Sequence, residues 1–373
     1  MTTRTGIKLL GLLFFIYLFM LSITLMGASF KLLGHGFAEE LVNSVSNPFT
    51  ALLIGILATS IIQSSSATSS IVVGLVGGLG MASAQVGGEA SAIPTLTIQN
   101  AIPIIMGANI GTSVTNILVS MGHISHRREF RRAFSAAIVH DSFNLVAVIV
   151  FLPVQITTNF LGLAASKAAG IFSAVGGLRF ASPIKTITKP VIDIIHNSPL
   201  AIGWLDIILA LLLLFLSLNR IVKILKSVVL NRIEVFFDTY IFKTAIRSLL
   251  LGLILTALVQ SSSITTSLVV PLAGAGILSL NQIFPYTLGA NLGTTVTALL
   301  AALTIGRPEA VTIALAHVFF NLFGIIVIWP IRFIPLNFAK WFSVLAMKNR
   351  IIPILFVATL FFIIPLLLIF LTR

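Results

Sequence analysis

The sequence predicts an all-α integral membrane protein made of two inverted-topology repeats, each with a re-entrant helical hairpin and a broken transmembrane helix. Three observations carry this expectation. Hydrophobic residues make up 57% of the 373 positions and charged residues only 9%, and apolar stretches of membrane-spanning length recur from end to end. A polar core, Gln63-Ser64-Ser65-Ser66-Ala67-Thr68-Ser69-Ser70, interrupts one such stretch and returns as Gln260-Ser261-Ser262-Ser263-Ile264-Thr265-Thr266-Ser267. Further matched blocks follow both copies in the same order.

The formal charge of +13 would suggest nucleic acid in a soluble chain. Here Lys and Arg gather in a few loops, which reads as positive-inside orientation with a lipid bilayer, not nucleic acid, as the partner. With no cysteine, disulfides, thiolate chemistry and sulfur-based metal sites are excluded.

Residues 1–47 read as a transmembrane helix, too long for a signal peptide, running outward from a cytoplasmic N-terminus into an external linker. Residues 48–153 form the first repeat, with a hairpin over 49–80 and spans over 95–121 and 133–153. Each hairpin arm has about 15 residues and rises only about 22 Å against a hydrocarbon core of about 30 Å, so the pair dips in and returns. The Gly-, Ala- and Ser-rich connection over 81–94 carries Glu89. Arg127, Arg128, Arg131 and Arg132 place the loop between the spans in the cytoplasm. Residues 154–199, with Lys167, Arg179, Lys185 and Lys189, read as an external loop, and 200–248 as a span followed by a basic cytoplasmic segment. The second repeat, 249–332, has its hairpin over 249–280 and spans over 284–305 and 310–331. An inner loop and a last helix fill 333–373.

The first hairpin thus enters from outside and the second from inside. Gly107-Ala108-Asn109-Ile110-Gly111-Thr112 matches Gly289-Ala290-Asn291-Leu292-Gly293-Thr294, His140 and Asn144 match His317 and Asn321, and Pro153 matches Pro330. Matched blocks in one order but opposite orientation are the mark of a transporter whose site lies at the repeat interface.

Helices that break inside a bilayer leave backbone groups needing protein, water or ligand. A new helix beginning at each serine tip aims free N–H groups and a positive dipole end at the midplane, where a tetrahedral oxyanion fits. The anion-site candidates are Gln63, Ser64, Ser65 and Ser66 with Gln260, Ser261, Ser262 and Ser263. The Gly-Ala-Asn-x-Gly-Thr segments instead supply oxygens suited to a hard cation such as sodium. Asn109, Thr112, Thr115, Asn116, Asn291, Thr294 and Thr295 are candidates, joined by Asn144 and Asn321 one turn beyond the histidines. Small-residue helix packing is the competing reading of these segments. Asp141 is the carboxylate well inside a span, where charge costs about 2.5 to 3.5 kcal/mol, and joins the cation candidates. His140 and His317 fit either a ligand or a neighbour's backbone. No Lys or Arg lies in either hairpin or either broken span, so cotransported cations are left to balance a bound anion.

At these residues the chain resembles the type II sodium-phosphate cotransporter family. The likeness rests on the paired Gln-Ser-Ser-Ser motifs, the run Pro103 to Asn116, Glu129-Phe130-Arg131-Arg132-Ala133-Phe134 and Val139-His140-Asp141-Ser142-Phe143-Asn144. It implies a symporter importing inorganic phosphate with sodium ions as co-substrates and no other cofactor. The Gln-Ser-Ser-Ser tips would sit at phosphate and the Asn and Thr residues near sodium. An acidic residue where Asp141 stands resembles the electrogenic members, and the natural setting is a bacterial inner membrane. A sodium-coupled carrier of another small anion, a dicarboxylate or amino acid, is the nearest alternative, but such carriers usually call for an Arg or an added acidic partner in the core, and none is seen here. An enzyme is disfavoured because His140 is duplicated and Asp141 is not, and a channel because the two tips would obstruct a pore.

Overall fold

The computed structural model describes residues 3–85, 96–174, 181–196, 203–229 and 241–371. Every regular element among them is a helix. Seven helical runs are long and apolar enough to cross a bilayer: Ile7–Met26, Ile98–Met121, Arg127–Thr158, Trp204–Ile221, Leu280–Ile305, Pro308–Ile328 and Ile351–Leu371. The all-α, multi-pass class is therefore the one observed. Glu89 and the centre of the basic 230–240 segment, with Arg232, lie outside the described residues, as does Arg179.

Helix α1 (Thr3–Ser44) runs through the stretch read as a linker and stops only before Asn47-Pro48, because a residue preceding proline is driven out of the helical region. Asn47 then caps α2 (Pro48–Ile62) by accepting from the Phe49 N–H at 2.9 Å, with proline at the first helical position, where its missing N–H costs nothing. Gln63 ends α2 in the left-handed region at φ 58°, and α3 (Ser65–Gln85) starts almost at once. Helices α4 (Ile98–Gly111), α5 (Val114–Met121) and α6 (Arg127–Thr158) complete the first half. The stretch read as an external loop holds two helices, α7 (Phe160–Ala174) and α8 (Ala181–His196), before α9 (Gly203–Val229).

The second half repeats the plan. Thr244 caps α10 (Ala245–Val259), Gln260 ends it at φ 58°, and Ser261 caps α11 (Ser262–Ala275). Then come α12 (Leu280–Ile305), α13 (Pro308–Ile328) and α14 (Phe333–Lys348). The C-terminal span consists of α15 (Ile351–Ala358), a π-helical turn (Thr359–Ile363) and α16 (Ile364–Leu371).

The two expected helix breaks come out differently, the first present as a short interruption and the second absent. In the first half the interruption is one tightened turn at Thr112 and Ser113, both still right-handed, where the Ser113 N–H reaches Ile110 O at 3.2 Å. In the second half Gly289 to Thr295 lies within an unbroken α12. The glycines serve close approach instead. A Cβ on Gly107 would strike the Leu52 carbonyl oxygen, and one on Gly111 would lie 2.6 Å from Ile56 O and 2.7 Å from Thr59 Cβ. Their counterparts meet the matched atoms: a Cβ on Gly289 would strike Leu249 O, and one on Gly293 would lie 2.7 Å from both Leu253 O and Thr256 Cβ. Thus α2 packs on α4 and α10 on α12 through the same small-residue seam.

Because the obstructing atoms are backbone carbonyls, Gly107→Ala and Gly289→Ala should each destabilise the fold by at least about 1–3 kcal/mol. Gly170→Ala, with nothing within 4 Å, should not. Thermal unfolding in detergent reads the difference, and equal unfolding temperatures for the three variants would refute the seam.

Candidate functional site

Each hairpin tip is braced in the same way. Thr59 Oγ1 donates to Thr68 Oγ1 at 2.9 Å across α2 and α3, and Thr256 and Thr265 share a hydrogen bond of 2.6 Å across α10 and α11. The Gln63 amide donates through Nε2 to Ser60 O and accepts through Oε1 from Thr115 Oγ1 at 2.6 Å. Gln260 does likewise with Ala257 O and Thr297 Oγ1, the latter also at 2.6 Å. A left-handed non-glycine residue is strained by about 1–3 kcal/mol. Glutamine is tolerated because its amide closes the turn and ties it to the neighbouring helix.

The serines after each glutamine open a helix. Ser64 Oγ accepts from the Ala67 N–H at 3.1 Å and Ser261 Oγ from the Ile264 N–H at 3.4 Å. The first-turn N–H groups of Ser65, Ser66, Ser262 and Ser263 have no intrahelical acceptor. Ser65, Ser66, Ser262 and Ser263 are all buried. The two tips touch: Ser66 Oγ donates to the Gln260 carbonyl at 3.2 Å, and Thr297 Oγ1 lies 3.5 Å from Ser66 Oγ. All eight anion candidates therefore fall at two abutting turns. The glutamine amides face their own scaffold, so the polar groups left at the abutting turns are the serine hydroxyls and backbone N–H groups.

Beside the tips the halves clasp reciprocally. Asn109 Nδ2 donates to Asn321 Oδ1 at 3.0 Å, and the matched Asn291 Nδ2 donates to Asn144 Oδ1 at 2.8 Å. His317 Nε2 donates to Asn109 Oδ1 at 3.0 Å, and the matched His140 Nε2 to Asn291 Oδ1. All six side chains are buried. A contact and its mirror, made by the same pair of matched positions, is the signature of an approximate two-fold relation.

The other cation candidates divide. Thr112 and Thr294 donate to Ala108 O and Ala290 O in their own helices, each at 3.0 Å, and Thr295 to Leu292 O at 2.6 Å. Thr115 is committed to Gln63. Asn116 crosses to the second hairpin, where its Oδ1 accepts from Thr266 Oγ1 at 3.0 Å, while its Nδ2 faces His140 Nδ1 at 3.4 Å. Asp141 is fully buried beside Ser113, with neither carboxylate oxygen in hydrogen-bond geometry with a partner.

One break in the symmetry was not anticipated from the sequence. The position matching Asn116 is Ala298, and the positions matching Thr266, Ser267 and His140 are Ser69, Ser70 and His317. Ser69 Oγ, Ser70 Oγ and His317 Nδ1 are buried without partners among the described residues. Aligning the blocks far enough to read Asn116 against Ala298 would have exposed the difference.

The family described as Na+/Pi-cotransporter matches residues 18–88 and 212–334, two segments that each contain one Gln-Ser-Ser-Ser tip. Sodium-dependent phosphate transport protein 2B of Pongo abelii is 31% identical over 96% of this chain and 64% of its own length. The human protein of the same name gives the same figures. Sodium-dependent phosphate transport protein 2A of Ovis aries is 32% identical over 97% of this chain and 68% of its own length. The chain thus spans about two thirds of these relatives. No solved structure matches it. The matched family is one of cotransporters, not of enzymes, and on its two matched segments and this identity to its members the chain belongs to the Na+/Pi-cotransporter family.

Proposed function

We propose that the chain is a secondary transporter that imports inorganic phosphate with sodium, through two inverted repeats whose re-entrant tips form the substrate site. The observation that carries this reading is the abutment of two serine-rich helix N-termini at Ser66 and Gln260, with no Lys or Arg in either hairpin. Buried N–H groups and hydroxyls suit an oxyanion, and the missing fixed cation leaves the charge to be balanced by a travelling one. The relatives named above are sodium-dependent phosphate transport proteins, which supports the substrate and the ion. A dicarboxylate or amino-acid substrate is less well supported, since no guanidinium reaches the tips.

On this reading Ser64–Ser66 and Ser261–Ser263 hold phosphate while Gln63 and Gln260 fix the turns. Asp141, whose two oxygens are buried without partners, is the strongest sodium ligand, because a desolvated carboxylate in lipid requires a cation or a proton. Asn109, Asn144, Asn291 and Asn321 link that region to the repeat interface, so ion occupancy biases the clasp on which alternating access turns. The basic segments orient the protein in the cell membrane, a bacterial inner membrane, with the N-terminus in the cytoplasm.

Purified protein in proteoliposomes should take up labelled phosphate under an inward sodium gradient but not under a potassium or proton gradient. A negative-inside potential should accelerate uptake, since each net positive charge gains about 2.3 kcal/mol per 100 mV. Sodium-dependent uptake of a different anion, with phosphate neither carried nor competing, would overturn the substrate assignment. Ser66→Ala and Ser263→Ala should each raise the KM for phosphate about tenfold, the equivalent of about one hydrogen bond to a charged group. Asp141→Gly should retain uptake but lose its potential dependence. Potential-driven uptake by that variant at the wild-type rate would remove Asp141 from the sodium pathway.

The two-fold relation makes its own prediction. Asn116→Ala should remove the cross-repeat acceptor of Thr266, which keeps Ser262 O, and leave His140 Nδ1 with Ser113 alone, at a cost of about 0.5–1.5 kcal/mol, whereas Ala298→Asn should supply a partner to Ser69, Ser70 and His317 and raise stability. Opposite shifts in the unfolding temperature support the relation, and a loss in both variants counts against it.

A further inference from the structure

The segments that the charge rule assigns to one side of the membrane converge at a cavity of about 310 Å³, at the end of α11 opposite Ser262 and Ser263. Its polar lining comes from α6 (Arg131, Arg132, Ser135), from the cap of α12 (Ser279) and from α14 (Lys340, Ser343). None of the described residues lining it is acidic. None of the three cations has a carboxylate within ion-pair distance among the described residues. Arg132 is held rigidly at the wall. Its Nε donates to Gly274 O at 2.9 Å and its Nη2 to the same oxygen, so that the guanidinium closes the C-terminus of α11. Two of its nitrogens are thereby committed and Nη1 remains available. Ser135 and Ser343 donate to Arg132 O and Lys340 O within their own helices, bonds that a hydroxyl exchanges readily for a better acceptor. The N-terminus of α12 adds a positive dipole end at the same place, with Ser279 and Gln282 forming its capping box.

We propose that this cavity is a second anion site, selective for a phosphoryl dianion and separate from the serine tips. Three unneutralised cations and hydroxyls, with no carboxylate, exceed what a monovalent anion needs and match the three acceptor oxygens of a phosphate or phosphate monoester. Free phosphate and a lipid phosphate-monoester headgroup share this chemistry. The pocket opens beside basic segments at the end of membrane helices, which is where anionic headgroups collect. Through Arg132 an occupant also touches α11, whose other end carries Ser262 and Ser263.

The test uses the full chain in nanodiscs of phosphatidylcholine alone, without sodium, so that its outcome is separable from that of the transport reading. The probes are labelled inorganic phosphate and, separately, dioctanoyl phosphatidic acid. Arg131→Gln with Lys340→Gln removes two charges from the cavity and leaves Arg132 to hold α11. Lys348→Gln with Arg350→Gln removes two nearby charges that do not line it. Saturable binding of either probe, weakened at least about tenfold by the cavity pair and unchanged by the control pair, supports the site. The probe that binds identifies the source of the phosphoryl group. Absence of saturable binding for both probes, or equal weakening in both variants, overturns it.

Discussion

The architecture depends on one interaction made twice: a glutamine in the left-handed region whose side-chain amide binds both its own hairpin and the helix beside it. Gln63 and Gln260 each stop a helix where no glycine is available, at φ 58°. Each then donates back to the preceding turn and accepts from a threonine, Thr115 or Thr297. Without the bond to threonine the turn would keep its strain and lose its compensation. With it, the next helix can begin at once, and its unpaired N–H groups appear at a fixed position. Serine supplies the rest, because its hydroxyl both caps the new helix and remains small enough to let the two tips meet.

Much of this was legible in the sequence, and for identifiable reasons. A contiguous, duplicated run such as Gln63-Ser64-Ser65-Ser66 inside an apolar stretch reads as a place where the helix stops and restarts more readily than as small-residue packing, since freed backbone and hydroxyls then find partners in each other. Duplication showed that the second run would do the same. The glycine blocks were harder. Gly107-x-x-x-Gly111 and Gly289-x-x-x-Gly293 have the composition of a helix break and equally that of a packing seam, and the choice depends on whether another backbone lies against them. Leu52 and Leu249 do, so the glycines are spent on contact: the second block lies within an unbroken α12, and α4 runs through the first as far as Gly111 before its turn. Helices α7 and α8 went unread because a lysine-bearing segment between spans resembles a loop until its apolar face is matched to a neighbour. For α7 that neighbour is α13, through stacking of Phe160 on Phe323 at 6.0 Å.

The departures from two-fold correspondence matter more to mechanism than the correspondence. An exact two-fold relation would give the two halves the same bonds, so each departure marks a place where they differ in energy. Asn116 bonds the first half to Thr266 of the second hairpin, while Ala298 makes no such bond to Ser69 or Ser70, which stay buried and unpaired. Of the two matched hydroxyl pairs, the unsatisfied one therefore falls on the first hairpin. The second hairpin is tied to the opposite half by a side chain, and the first only by what its backbone and Ser66 can reach.

Asp141 adds the other departure, with Val318 at its matched position. A carboxylate without partners in a low-dielectric interior is a poor resting state and a strong demand for positive charge. Placed next to His140, whose Nε2 is already engaged by Asn291, it meets that demand poorly from the protein itself. Asn291 in turn holds Asn144, which reaches back to Asn109 O at 2.9 Å. The unpartnered carboxylate thus lies one residue along α6 from a histidine whose bonds, through Asn291 and Asn144, join the two halves, so a change of charge at Asp141 falls beside that clasp without being bonded to it.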